Sequence, residues 1–242
     1  MTNPKKTVII PSGPIETLDG TELLRLSEAG YPEAQVAYAD HLARSWGSKE
    51  EQLKWLSQAY LHDNVIAAWK IGCLYAKEYH DDENALVWYE RAAEREFPLA
   101  MMSIVYHYLS KVTYNSYEEM LAGYETAFAW LIKATQKGNV HSYRTFADFC
   151  FFGVQMEQDY TQAIRYYERA AQGGDDIACV MLWYCYKYGK GVPRDKEKVK
   201  YWFGKCRKIN HRIPLRHHLI AWKKVAKRYK GAYSMDLRKY VL

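Results

Sequence analysis

The sequence predicts an all-α solenoid, because two kinds of marker residue recur in one register with a turn signal between them. The first marker is a small residue, Ala34, Ala67, Ala100, Ser142 and Ala178, at spacings of 33, 33, 42 and 36. The second is a large aromatic, Trp55, Trp88, Trp130, Tyr166 and Trp202, at spacings of 33, 42, 36 and 36. The turn between them is clearest at Gly189-Lys190-Gly191-Val192-Pro193, where glycines accommodate positive φ and proline presets the next segment. A period in the thirties with two helices per unit means stacked helix pairs, each leaving its apolar face uncovered until the next pair packs on it.

Taken in order, residues 1–16 read as an extended arm. Its apolar patch Val8–Ile10 is interrupted by Pro11 and Pro14, so it lacks the long apolar run of a secretory leader. Residues 17–29 form a short helix ending at Gly30, half a repeat that covers one end of the stack. The solenoid spans 17–210, with full units at 31–63, 64–96, 97–138, 139–174 and 175–210. The last unit is the template. Ala178, Leu182 and Tyr186 share one side of its first helix, Asp195 suits the first turn of the second, and Val199, Trp202, Phe203 and Cys206 recur at helical spacing. Trp88 and Trp202 are expected in the core, where losing one costs about 3–5 kcal/mol. The third unit is read with its extra residues in a loop, Lys111–Gly123, that exposes Tyr114, Tyr117, Glu118 and Glu119. Residues 211–242 read as a basic capping helix and tail, with Leu215, Leu219, Trp222, Ala226 and Tyr229 on its apolar face.

The last unit carries Ala178, Leu182, Tyr186, Gly189, Gly191, Val192, Asp195, Lys198, Val199, Trp202, Phe203 and Lys205. The unit before it keeps Gly153, Asp159, Ala163, Tyr166, Tyr167, Arg169, Ala170 and Ala171. This pattern, A-x3-L-x3-Y-x2-G-x-G-V-x2-D-x2-K-A-x2-W-Y-x-K-A-A, resembles the Sel-1-like repeat, a relative of the tetratricopeptide repeat. The second unit keeps the helix markers without the turn glycines, and the first is the most degenerate. The resemblance implies a right-handed α/α superhelix. It also implies protein–protein interaction, in roles such as adaptors, regulators and immunity proteins that neutralise toxic effectors, and no common catalytic residue.

Composition adds bounds. Aromatic residues make up 15% of the 242, enough to fill an interhelix core. No apolar run reaches the 18 or so residues that cross a bilayer, and a cytoplasmic location is expected. Five cysteines at irregular intervals read as reduced, buried thiols rather than a disulfide framework. The net charge of +6 is unevenly spread: residues 187–242 hold 18 Lys+Arg against 3 Asp+Glu, and residues 1–186 hold 16 against 25. Opposite-signed ends favour a steered encounter with a partner of uneven charge.

The first helices of such a solenoid commonly line its concave side. Counting from the leading small residue, positions +2, +3, +6 and +10 point away from the markers. They hold Asp40, Arg44, Lys70 and Lys77, and the candidate partner-binding set Trp69, Met102, Tyr106, Arg144, Asp148, Phe152, Met181, Tyr184 and Tyr188. Aromatic, Met and Arg side chains are enriched at interface hot spots. The competing reading is that part of this row packs on neighbouring repeats.

The basic C-terminal segment interleaves tyrosine and tryptophan with lysine and arginine, a mixture suited to phosphates and bases. Yet Trp202 and Trp222 are needed for packing, so a solvated cap or a docking face for an acidic protein is the preferred reading. No H-E-x-x-H, C-x2-C pair, phosphate loop or nucleophile elbow is present, so no catalytic, cofactor or metal residue is assigned. The expected function is non-enzymatic binding of a protein partner, most concretely an immunity protein bound to a toxin, with an adaptor or regulatory scaffold as the alternative and a nucleic-acid binder through the basic C-terminus ranked third.

Overall fold

The computed structural model describes residues 15–110 and 115–209. The capping helix expected at 211–242, and nearly all of the arm expected at 1–16, lie outside the described residues. By compactness the chain divides into two units, Met1–His107 and Tyr108–Leu242. The first contains α1 (Gly20–Glu28), α2 (Pro32–Arg44), α3 (Lys49–Leu61), α4 (Val65–Leu74), α5 (Asp82–Glu94) and most of α6 (Pro98–Ser110). The second contains α7 (Tyr117–Gln136), α8 (Val140–Phe152), α9 (Tyr160–Gln172), α10 (Asp176–Tyr188) and α11 (Lys196–Ile209). There is no strand among the described residues.

Each turn from a second helix to the next first helix has the same hydrogen bonds. The N-cap N–H of the next helix reaches five residues back: Asn64 to Ala59, Asn139 to Ala134 and Asp175 to Ala170, at 3.1, 3.1 and 3.0 Å. This is the Schellman closure, which satisfies orphan carbonyls and requires one left-handed residue. That residue is Gly30, Asp63, Glu96, Gly138 or Gly174, always at positive φ. A Cβ is strained there by about 1 kcal/mol. Glu96→Gly is therefore expected to stabilise the protein by about 1 kcal/mol, raising Tm by roughly 2–4 °C in a thermal melt.

The N-cap side chains explain the small first-helix marker. Asn64, Asn139 and Asp175 accept from the backbone N–H of Ala67, Ser142 and Ala178 at 3.1, 3.1 and 2.8 Å. The marker side chains themselves are fully buried, so size is limited where the helices approach. Second helices are capped likewise by Ser48, Asp81, Ser116, Asp159 and Asp195.

The third unit departs from expectation. Its extra residues do not all form a loop, because α7 begins at Tyr117 and runs for 20 residues. Ser116 Oγ accepts from the Glu119 N–H, and Glu119 Oε2 accepts from the Asn115 N–H, so an S-x-x-E pair starts the helix early.

The aromatic marker also behaves differently from expectation in three repeats. Trp55 and Trp202 are buried, whereas Trp88, Trp130 and Tyr166 are half-buried. Arg91, Lys133 and Arg169, three residues on, lie 4.4, 4.2 and 5.4 Å from those ring centroids. The cation covers the ring face that the core leaves open. The fully enclosed position is the next one: Leu56, Tyr89, Leu131 and Tyr167 are 4%, 8%, 0% and 0% exposed.

Candidate functional site

In the unit 108–242, the first-helix residues sort into a buried polar network and an exposed aromatic edge. Asp148 on α8 is 2% exposed. Tyr167 on α9 donates its hydroxyl to Asp148 Oδ1 at 2.6 Å, and Arg144 Nη1 lies 3.3 Å from Oδ2. Arg144 Nε then donates to Asp175 Oδ2 at 3.0 Å, and Asp175 Oδ1 caps α10. Burial pushes the Asp148 carboxyl up to about 6, while the Arg144 charge and the Tyr167 hydroxyl pull it back. Burial, reinforced by the Asp148 charge, holds the Tyr167 phenol well above its ordinary value. This network ties α8, α9 and the start of α10 together.

The aromatic edge lies at the C-terminal ends of α8 and α10. Phe151 meets Phe152 at 5.2 Å between centroids, Tyr160 at 4.9 Å and Tyr184 at 6.4 Å, and Tyr184 meets Tyr188 at 4.8 Å. Phe152 and Tyr184 are half-buried, and Tyr188 is 44% exposed. Lys187 Nζ lies 4.5 Å from the Trp183 ring centroid and 5.5 Å from that of Tyr188. The structure thus gathers Phe152 and Tyr184 around Phe151, with Tyr188 against Tyr184.

In the unit 1–107, Trp69 Nε1 donates to Ser103 Oγ at 3.0 Å, and its ring sits 5.8 Å from Phe97. Lys70 Nζ reaches Asp40 Oδ1 at 2.6 Å, linking α4 to α2. Tyr106 is 40% exposed.

Three expected surface residues are interior. Met102, Asp148 and Met181 are 2%, 2% and 0% exposed. A first helix is flanked on two sides: α10 packs on both α9 and α11. The arc left to solvent is therefore narrower than the four positions drawn from helical spacing. Position +10 escapes at the helix end, as Tyr188 shows. Among the described residues, no group of three or more His, Cys, Asp or Glu could hold a metal ion, and no helix is long and apolar enough to cross a membrane. The five cysteines carry free thiols.

Residues 65–97, 120–139, 143–175 and 177–205 match the Sel1 repeat. The chain belongs to the Sel1-repeat family. Residues 31–63 lie outside the matched ranges, although α2 and α3 pack as a pair there. Among solved structures, a Sel1 repeat protein from Oxalobacter formigenes aligns at TM-score 0.64 and 24% identity, over 79% of this chain and 84% of that one. A protective antigen of uropathogenic Escherichia coli with the same repeat fold aligns at TM-score 0.69 and 21% identity, over 88% of this chain. The alignment spans only 47% of that antigen's length. An immunity protein from Pseudomonas aeruginosa aligns at TM-score 0.56 and 15% identity, over 78% of this chain and 72% of that one. No curated protein matches the chain. Sel1 repeats are a protein-interaction scaffold, and the fold is an all-α helical repeat of that kind.

The Asp148–Tyr167 pair escaped the sequence reading because its partners are 19 residues apart, on two helices. The aspartate was legible as a first-helix polar residue, but the hydroxyl that claims it was not.

Proposed function

We propose that this Sel1-repeat protein is an immunity protein, which binds a toxic effector protein in the cytoplasm and holds it inactive. The observation that carries the reading is the exposed aromatic edge of α8 and α10, with Tyr188 at its tip and Lys187 beside it. Rigid aromatic side chains at a surface supply large contact area at low entropic cost, which suits a hot spot. The shared fold of the Pseudomonas aeruginosa immunity protein supports the choice of partner. No catalytic role is part of the reading.

The test is co-expression with the product of the neighbouring gene. Growth should be restored and a one-to-one complex recovered; growth arrest in its presence would sink the proposal. Tyr188→Ala is expected to weaken that complex by at least about 30-fold, the effect of an interface hot spot of about 2 kcal/mol. Its melting temperature should stay within about 2 °C of wild type, because the side chain is exposed. A large loss of stability with unchanged binding would make it a packing residue instead.

A further inference from the structure

The last repeat exposes a position that every earlier repeat closes. Leu56, Tyr89, Leu131 and Tyr167 follow the aromatic marker and are at most 8% exposed, but Phe203, in the same register, is 39% exposed. The packing explains the difference. Helix α3 lies against both α2 and α4, and α9 against both α8 and α10. Helix α11 packs on α10, and no following first helix is present among the described residues. Its outer side therefore has the shape that elsewhere receives a helix.

The chemistry of that side selects the occupant. Lys196, Lys200, Phe203 and Arg207 stand at i, i+4, i+7 and i+11, so they form one stripe along α11, and all four are exposed. The stripe has three cations around one apolar ring and no carboxylate. Two carboxylates border it: Asp195, which accepts from the N–H groups of Glu197 and Lys198 at 2.9 and 3.0 Å, and Glu197, which stands about 100° around the helix from Lys196. Residues 210–242 carry nine Lys or Arg and one Asp, so the rest of the chain offers this stripe a single side-chain carboxylate. Base stacking is also poorly served. Tyr201 stands edge-on to Trp202 at 4.9 Å and Lys205 lies 5.2 Å from the Trp202 ring centroid, so neighbouring rings are already engaged.

We propose that the outer face of α11 docks an acidic amphipathic helix of a protein partner, with an apolar residue over Phe203 and carboxylates against Lys196, Lys200 and Arg207. This surface is separate from the aromatic edge of α8 and α10, and it stands whether or not the partner there is a toxin. Charge complementarity steers the encounter, and Phe203 supplies the buried anchor.

The test uses the full chain and a fluorescent 16-residue amphipathic peptide of Leu, Ala and Glu, followed by anisotropy. The same peptide with Lys for every Glu and a 20-nucleotide single-stranded RNA serve as competitors for comparison. The acidic peptide is expected to bind at least 10-fold more tightly than either, and Phe203→Ala and Lys200→Glu should each weaken it at least 5-fold. Equal or tighter RNA binding overturns the proposal, as does acidic-peptide binding that these substitutions leave unchanged. Accessibility is read independently with Phe203→Cys, whose thiol should react with an aromatic disulfide reagent at least 10-fold faster than the wild-type thiols. A rate no faster than wild type means that the chain covers its own α11, and that also overturns it.

Discussion

Replacing Tyr167 with alanine is expected to destabilise the protein by about 5 kcal/mol. The ring is completely buried, with Phe151 at 6.3 Å on one side. Removing a buried aromatic leaves a cavity that costs about 3–5 kcal/mol. It also strips Asp148 of the hydroxyl at 2.6 Å, and an orphaned buried acceptor adds about 1–3 kcal/mol. Tyr167→Phe separates the two contributions, because it keeps the ring and removes only the donor. It should cost about 1–3 kcal/mol in urea denaturation, with an unchanged slope. If Tyr167→Phe is neutral, the Asp148 hydrogen bond contributes nothing to folding. Met181→Ala offers a companion measurement. This residue is fully buried, so about 2–5 kcal/mol should be lost, whereas a surface residue would lose almost nothing.

How much of this was legible in the sequence depends on how local the chemistry is. Asp195 and the glycines at 189 and 191 were readable, since a cap and positive-φ turns act on neighbouring backbone groups. Ser116 and Glu119 act as locally, but they stand before the repeat's usual helix start, so the repeat pattern alone does not place a cap there. Helical spacing gave the direction of Met102 and Met181 but not the breadth of the helices beside them. That breadth decides burial and is a tertiary quantity. Trp88 misled in the opposite sense. Its size suggested full burial, while the Arg91 guanidinium beside it allows a half-buried indole to face water. Phe203 matches the repeat pattern in sequence, and its 39% exposure, where Leu131 and Tyr167 are closed, is legible only in the fold.

Asp148 gives stability a pH dependence with a defined sign. Its folded-state pKa is raised from 3.8 to about 6, first by burial and against the pull of Arg144 and Tyr167. Between these values the folded protein binds the extra proton, so stability falls as pH rises. The favourable contribution is complete below about pH 4 and is lost as pH climbs through 6. The shift corresponds to about 3 kcal/mol between its two limits. Asp148→Asn removes the titration while keeping an oxygen that accepts from Tyr167. Its stability relative to wild type should therefore improve by about 2.4 kcal/mol from pH 4 to pH 8, measured by urea denaturation at each pH. A difference that stays flat across this range would place the Asp148 carboxyl near its ordinary value in the fold. Arg144→Ala should push the carboxyl higher still, because it removes the cation that favours the charged form. In that background the fall in stability should begin at the same pH, near the unfolded carboxyl's value, and continue to a higher one. The cation that ties α8 to the cap of α10 thus also sets the pH at which the network weakens.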